Sequence, residues 1–178
     1  MRGTSSTHVP RATVARLDFT YCPIRSRFID TAEHARAYYH FRLVAPGAHA
    51  IEVLGKVRVT VRFNPEEIHI FTSAEPIAGA EQIVRPGKHA SEVRYFDRER
   101  ARRLDQILDT LKNPARALQA KDPRAVCVFG PPREGAQRMC VVVGPEGSSS
   151  CWYIRTAYAV SADAFRNALR GKPAKWPP

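Results

Sequence analysis

The stretch Val57-Arg-Val-Thr-Val-Arg-Phe63 alternates apolar and polar residues over seven positions. Apolar side chains at every second residue are typical of a strand with one face in a core and the other in solvent. The residues 64–66 (Asn-Pro-Glu) predict a turn, so 68–71 is expected to return as the second arm of a hairpin. Upstream, the segments 16–21 and 38–44 are also β-like, because they are rich in aromatic and branched residues.

The hydrophobic spacing changes from two residues to three or four in the segment that follows residue 90. This period favours one amphipathic helix, which ends at Asn113-Pro114 because a residue that precedes proline avoids helical backbone angles. Residues 115–120 predict a short second turn. The apolar residues that define the helix face are Val93, Phe96, Leu104, Ile107, Leu108 and Leu111.

Three short apolar segments then alternate with loops that are rich in glycine and proline. Strands at such close spacing are typical of an antiparallel meander. Ser161 is a suitable N-cap and Gly171 a suitable C′ residue for a last helix over 162–170. The three predicted strands are 125–129, 139–143 and 152–158.

The sequence therefore predicts an α+β fold, with a basic helix packed on an antiparallel β-meander, a C-terminal helix and a β-rich N-terminal extension. Residues 1–14 are polar and are predicted to form a flexible tail. The extension covers residues 15–55, and the domain that contains the helix and the meander covers 56–178.

Arginine dominates a strongly basic composition. The chain has 178 residues and a formal net charge of +11, with 28 Lys and Arg, 22 of them Arg, against 17 Asp and Glu. A small basic domain usually meets a polyanion such as nucleic acid, an anionic membrane surface or an acidic protein, unless its arginine count reflects only GC-rich coding. The hydrophobic fraction of 44% argues against a chain that is disordered throughout. No apolar run reaches the ~20 residues that span a bilayer.

The four cysteines carry little information. Cys22, Cys127, Cys140 and Cys151 form no C-x-x-C pair, so no zinc or other metal site is expected. They are predicted to be small buried residues in a reducing cytosol, with one disulfide between adjacent strands as the alternative. The sequence also has no glycine-rich phosphate loop and no dinucleotide motif, so no cofactor is expected.

The first candidate site is Arg85-Pro-Gly-Lys88-His89, just ahead of the predicted basic helix. Residues 85–103 hold seven cations against three acids. A histidine in such a place can transfer protons near neutral pH, and a neighbouring lysine can stabilise charge that develops on phosphorus. The alternative is an ordinary solvated charged face, for which the i,i+4 pair Glu99 and Arg103 is typical.

The second candidate site is the predicted strand 152–158. Alternate residues of a strand share a face, so Ile154, Thr156 and Tyr158 are expected to point to one side. Thr156 would then offer a hydroxyl and Tyr158 a stacking ring to a cleft. In the alternative, Ile154 and Tyr158 are core residues and Arg155 is solvated.

His69 is the reserve catalytic histidine. It lies between Ile68 and Ile70 on a predicted strand, so it is expected to project to the face opposite both. His34, His40 and His49 show no spacing typical of metal ligands.

The order of these features resembles the barnase–EndoU–colicin E5/D–RelE superfamily of small ribonucleases (the BECR fold), and within it the phage and polymorphic-toxin branches. The features are a Lys-His pair before a basic helix, an Asn-Pro helix stop, and a meander whose last strand reads Ile-Arg-Thr-Ala-Tyr. The resemblance covers about residues 56–171 and is one of order and spacing. The segment 15–55 has no place in the minimal fold of this superfamily.

The resemblance implies a metal-independent endoribonuclease in which the RNA 2′-OH attacks the adjacent phosphorus and leaves a 2′,3′-cyclic phosphate. It implies that His89 is the general acid or base, and that Lys88 and Arg155 stabilise the transition state. Thr156 would hydrogen-bond the scissile phosphate and Tyr158 would stack on a base. Arg94 and Arg102 would hold the RNA backbone. A tRNA anticodon loop is a candidate substrate.

The resemblance also implies partners and a place of action. A toxin of this kind acts in the cytoplasm, either of the cell that makes it or of a target cell, and an acidic antitoxin or immunity protein would block its basic cleft. No membrane partner is implied. Two other functions explain the charge as well: a nucleic-acid-binding module without catalysis, and a phage- or secretion-associated interaction protein. The first would bind RNA without cutting it, and the second would show no nuclease activity.

Overall fold

The alternating stretch is the second strand of a large sheet, in a computed structural model that describes residues 25–85, 91–145, 147 and 151–177. The strands of this sheet are β1 (Ala48–Val53), β2 (Val57–Phe63), β6 (Arg116–Gln119), β7 (Val126–Phe129), β8 (Arg138–Pro145) and β9 (Cys151–Val160). Their order across the sheet is β1-β2-β9-β8-β7-β6. All neighbours are antiparallel except β2 and β9, which are parallel, so the sheet is mixed.

A small antiparallel sheet contains the strands β3 (Thr72–Ser73), β4 (Gln82–Arg85) and β5 (Glu92–Phe96), in the order β3-β5-β4. The pairing of β4 with β5 runs from Gln82 opposite Tyr95 to Arg85 opposite Glu92. This sheet therefore brings together residues from both sides of the segment 86–90, which lies outside the described residues.

Four short α-helices complete the described part of the chain, together with several tighter or wider helical turns. Thr31, Asp97 and Ser161 cap three of the helices through side-chain oxygens that accept backbone N–H groups. None of the described helices is long and apolar enough to cross a membrane. The α-helices are α1 (Ala32–Tyr38), α2 (Arg98–Ala101), α3 (Gln106–Lys112) and α4 (Ala162–Ala168), and the turns are Ser26–Phe28, Tyr39–Val44, His69–Phe71 and Glu134–Ala136.

The structure confirms the α+β class and the antiparallel meander of β7, β8 and β9, with strand ends that differ by a few residues from those predicted. The predicted N-cap is also confirmed, because the Ser161 hydroxyl accepts a hydrogen bond from the Ala164 N–H at 3.1 Å. Local hydrophobic spacing was sufficient for these elements, because each is short and its neighbours in space are also neighbours in sequence.

The single helix predicted from Val93 onward is wrong. Residues 92–96 form β5, and the helical part that follows is divided into α2 and α3 by a turn over 102–105. Strand pairing decides the first part, because β5 bonds both β3 and β4. Asp97 then starts a new helix by accepting the Arg100 N–H at 3.1 Å.

Three further predictions of secondary structure differ from the structure. Residues 38–44 are helical instead of β-like. Within 68–71, His69–Phe71 forms a 3₁₀ turn instead of a strand, because the hairpin partner of β2 is the preceding strand β1. Residues 115–120 contain the strand β6 where a turn was predicted. The predicted strand 16–21 and the predicted tail 1–14 lie outside the described residues.

The main hydrophobic core lies on one face of the large sheet. It contains Val61, Val128 and Val141, each with no exposed surface, and it is covered by α1, α2 and α3. Residues from the described part of 15–55, such as Leu43 and Ile51, belong to this same core. A second cluster on the opposite face includes Leu118, Phe129, Cys140 and Phe165, and it lies under α4.

Candidate active site

The strongest concentration of polar contacts is on the small sheet and on the 3₁₀ turn His69–Phe71. These contacts join two carboxylates, one imidazole and three guanidinium groups, none of which is fully exposed. We refer to these residues as the Glu-His-Arg cluster. Its members are Glu67, His69, Arg85, Glu92, Arg94 and Arg100.

His69 is held between two carboxylates. Its Nδ1 lies 3.0 Å from Glu67 Oε1, and its Nε2 lies 3.1 Å from Glu92 Oε1. The backbone N–H of His69 also donates to Glu67 Oε1 at 2.8 Å. The two carboxylates, one at each ring nitrogen, fix the orientation of the ring. About a third of the His69 side chain (32%) stays exposed.

Glu92 is the carboxylate on which the cations of the cluster converge. Its Oε1 accepts from Arg94 Nη1 at 2.9 Å and faces His69 Nε2, while its Oε2 lies 3.3 Å from Arg85 Nη2. The hydrogen bond from Arg94 lowers the pKa of Glu92, and His69 and Arg85 lower it further. Glu92 is therefore ionised near neutral pH, and Oε2 is the oxygen with the larger free capacity to accept a proton.

Arg94 is buried and positions Glu92. Its Nε donates to Thr72 Oγ1 at 2.7 Å and its Nη2 donates to the Thr72 carbonyl at 3.2 Å. The Thr72 hydroxyl in turn donates to the carbonyl of Ile68 at 2.7 Å. All three guanidinium nitrogens of Arg94 thus have a partner, and its contribution to a site is to fix the Glu92 carboxylate.

Arg100 ties the 3₁₀ turn to α2. Its Nη1 donates to the His69 carbonyl at 3.2 Å and to the Thr72 carbonyl at 3.1 Å, while its Nε lies 3.2 Å from Asp97 Oδ2. The backbone of His69 is therefore fixed as firmly as its ring.

Lys88 and His89, predicted to be catalytic, lie outside the described residues, between Arg85 at the end of β4 and Ser91. Arg102, predicted to hold the RNA backbone, donates from Nε to the Ile29 carbonyl at 3.2 Å and forms an ion pair with Asp30. In the structure it links α2 to the N-terminal segment.

Arg155 lies across the large sheet. Its Nη1 donates to Asp122 Oδ2 at 2.7 Å, and its Nε would be 2.3 Å from a Cβ on Gly144. A side chain at position 144 would therefore require the Arg155 guanidinium to shift. The backbone N–H of Arg124 and the Arg155 guanidinium together lower the pKa of Asp122 to about 2.

Thr156 and Tyr158 share one face of β9, but Ile154 does not share it as predicted. Val142 pairs with Thr156 and Val143 pairs with Ile154, so Arg155 is the extra residue of a β-bulge. The bulge places Ile154 in the main core, while Tyr158 packs against the second cluster. Burial raises the pKa of Tyr158, and Cys140, to which it is hydrogen-bonded, raises it further.

The Glu-His-Arg cluster and β9 are neighbours. The turn His69–Phe71 packs against β9, and α2 also contacts this strand. The positive charge of Arg100 acts on Tyr158 and partly offsets the effect of burial on its pKa. His69, the reserve catalytic histidine, therefore lies in the same region of the molecule as Thr156 and Tyr158 of β9.

Sequence reasoning missed Glu67, Glu92 and Arg100 as site residues. One signal was available, since Glu92 and Arg94 are two residues apart and share a strand face once 92–96 is recognised as a strand. The pairing of His69 with Glu92 had no local signal, because it depends on the fold of the small sheet.

Comparisons with known proteins give no guidance on function. No family model matches the chain, and no curated protein and no solved structure matches it. Among the described residues, no group of three or more His, Cys, Asp and Glu side chains is arranged to hold a metal ion. Glu67 and Glu92 approach opposite nitrogens of His69, so the three groups cannot share one ion.

Proposed function

We propose that the protein is an endoribonuclease of the metal-independent type, and that the Glu-His-Arg cluster is part of its active site. The observation that carries the proposal is the Glu92 carboxylate. It is ionised, 35% exposed, fixed through Oε1 by Arg94 and His69, and has its second oxygen next to Arg85. Because this carboxylate is deprotonated, fixed and accessible, its Oε2 is available to accept a proton, while the arginines around it attract a substrate that is itself an anion.

In the proposed reaction, Glu92 Oε2 accepts the proton of the RNA 2′-OH. The 2′-oxygen attacks the adjacent phosphorus, the bond from phosphorus to the 5′-oxygen breaks, and the products are a 2′,3′-cyclic phosphate and a free 5′-hydroxyl. Proton transfer of this kind contributes about 10²–10⁴-fold to a rate. The 2′-OH makes the reaction specific for RNA over DNA.

His69 and the arginines support the base in this proposal. His69 keeps Glu92 oriented, and Glu67 keeps His69 oriented, as in other sites where a second carboxylate fixes the ring. Arg85 is exposed enough (34%) to turn from Glu92 toward a substrate phosphate, where it would stabilise the developing charge. Arg94 is a positioning residue, because it is buried and each of its three nitrogens already donates to Thr72 or Glu92.

The residues predicted from the sequence complete the proposal. His89 is the acid that donates a proton to the departing 5′-oxygen, and Lys88 stabilises the charge on phosphorus. Thr156 and Tyr158 contact the RNA from β9, and Arg155 positions this part of the strand through Asp122. A tRNA loop is the candidate substrate, and an acidic antitoxin or immunity protein is the candidate inhibitor, because the site carries an excess of arginine.

The test is cleavage of total RNA in the presence of EDTA, with analysis of the product ends. We expect wild-type protein to cut RNA and to leave 2′,3′-cyclic phosphates. We expect His69→Gln and His89→Gln each to reduce the rate by about 10²-fold or more. His34→Gln is the matched control, because His34 is an exposed histidine of α1 outside the cluster.

Two outcomes would contradict the proposal. If wild-type protein binds RNA but leaves it intact, the protein is a binding module and the cluster serves the fold. If His69→Gln cuts RNA at the rate of His34→Gln while His89→Gln does not, the reaction class holds and the Glu-His-Arg cluster is not its site.

A further inference from the structure

The C-terminal segment forms an additional edge on the large sheet. The Gln119 N–H donates to the Lys172 carbonyl at 2.9 Å, and the Ala174 N–H donates to the Ala117 carbonyl at 3.1 Å. Leu118 and Pro173 form an antiparallel bridge between these two bonds. The segment thus covers the outer side of β6, which would otherwise be an open strand edge.

Trp176 fixes this segment in place. Its side chain is buried, its Nε1 donates to the Leu111 carbonyl at 3.0 Å, and its ring packs edge-on against Trp152 at 5.8 Å between centroids. The lysines that flank the bridge are therefore held on an ordered backbone.

The register of this pairing places like charges side by side. Since Ala117 bonds Ala174, the next residues outward, Arg116 and Lys175, lie opposite each other, and both are exposed. Like charges at opposite positions of neighbouring strands are destabilising. We refer to the exposed cations of this region as the basic edge, which consists of Arg116, Lys121, Arg170, Lys172 and Lys175.

Several exposed cations elsewhere in the described residues pair with acids. Arg58 pairs with Glu52, Arg103 with Glu99, and Arg133 with Asp109. Within the described ranges, none of the five cations of the basic edge forms an ion pair. The acid nearest to it in sequence, Asp122, is already bound by Arg155 and Arg124.

We infer that the basic edge binds the phosphate backbone of an RNA strand, apart from the site of cleavage. A phosphate backbone offsets the repulsion between Arg116 and Lys175, and no described acid does so. From Arg116 to Gln119 the strand β6 spans about 10 Å, which corresponds to about three nucleotide steps of a helical strand, and Lys121 follows just beyond its end. The choice of RNA as the polyanion rests on the proposed function. The binding experiment below does not depend on it.

The test is binding of a fluorescent 2′-O-methyl RNA oligonucleotide, which has no free 2′-OH to react, measured by anisotropy over a range of salt concentrations. In the edge variant, Arg116, Lys121, Lys172 and Lys175 are replaced by Gln. In the control variant, Arg25, Arg27, Arg36 and Lys56, which are also exposed, are replaced by Gln. Both variants lower the net charge by the same amount.

We expect the slope of log affinity against log salt to fall by about 2 or more in the edge variant, at about 0.7 for each lost contact with a strand phosphate. The control variant should change the slope by less than about 1. An equal change in both variants, or a larger change in the control, would overturn the inference. This experiment measures binding. Absence of RNA cleavage would therefore refute the proposed function, but it would not decide whether the basic edge binds RNA.

A single substitution gives a second measurement that does not depend on multiple changes. Lys175→Glu places an acid opposite Arg116, so we expect it to raise the melting temperature slightly while it weakens binding of the oligonucleotide. Unchanged binding by a folded Lys175→Glu would overturn the inference.

Discussion

The large and the small sheet of this protein are held together by different forces. The large sheet buries an apolar face, with Val61, Val128 and Val141 completely inaccessible. The small sheet adds Ile83 and Phe96 to the same core but leaves Val84 and Val93 exposed at 62% and 44%, and hydrogen bonds that Arg94 donates to Thr72 and Glu92 hold its strands together. The difference indicates that the large sheet supplies stability, while the small sheet presents directed polar groups that can act on a ligand.

The largest expected effect is the difference between the losses in the free energy of unfolding that substitutions in the two sheets cause. Ile154→Ala in β9 removes a side chain that is 1% exposed, so we expect the free energy of unfolding to fall by about 2–5 kcal/mol. Val93→Ala on the exposed face of β5 should cost less than about 0.5 kcal/mol. Urea unfolding followed by circular dichroism measures both values. Equal costs would contradict the assignment of the apolar core to the large sheet.

An intermediate effect is expected from Arg94→Met. The substitution removes the donor to the Thr72 hydroxyl and one of the two donors to the Thr72 carbonyl, which keeps Arg100, so we expect a loss of about 2 kcal/mol. Amide hydrogen exchange should become faster in β3, β4 and β5 and stay slow in β8 and β9. A uniform loss of protection over both sheets would show that they unfold as one unit, and would contradict the claim that different interactions hold them.

The smallest effect concerns a charge pair on the large sheet, and it depends on pH. Asp122 has a pKa of about 2 in the folded protein against an ordinary value of 3.8, with the Arg124 N–H and Arg155 as the main causes. Ionised Asp122 therefore stabilises the fold above pH 3.8, and this contribution is lost as the pH falls toward about 2.

Arg155→Met removes part of that contribution. We expect the melting temperature of the variant to lie below that of wild type above pH 3.8, and the two to converge as the pH approaches about 2. Thermal unfolding across this range measures the difference. A difference that stays constant with pH would mean that Arg155 acts through packing on Gly144 alone.

The two sheets also differ in how far the sequence predicts them. The alternation in β2 and the closely spaced strands of the meander are local patterns, so β2, β7, β8 and β9 could be identified from their own residues. Val93 and Phe96 happen to continue the helical spacing of Leu104 and Leu111, and only pairing with β3 and β4 makes them a strand. Tertiary pairing overrides local periodicity in such cases.

The candidate site also contains residues that local sequence patterns indicate and contacts that they do not. His69 could be selected because of its residue type and its flanking isoleucines. Its contact with Glu92 joins residues 23 positions apart across the small sheet, so no local pattern indicated it. Simple alternation predicted that Ile154, Thr156 and Tyr158 share one face of β9. The bulge at Arg155 places Ile154 on the opposite face from Thr156. A bulge depends on the register with the partner strand, here β8, which alternation along β9 does not take into account.

The most direct test of this account compares Glu92→Gln with Glu99→Gln in single-turnover cleavage of RNA, with unfolding measured on the same preparations. Both substitutions replace one carboxylate by an amide, but Glu99 is exposed on α2 and lies outside the cluster. We predict that Glu92→Gln loses about 10²–10⁴-fold in rate while it remains folded, and that Glu99→Gln cleaves like wild type. Equal rates in the two folded variants would contradict the claim that the small sheet carries the active site.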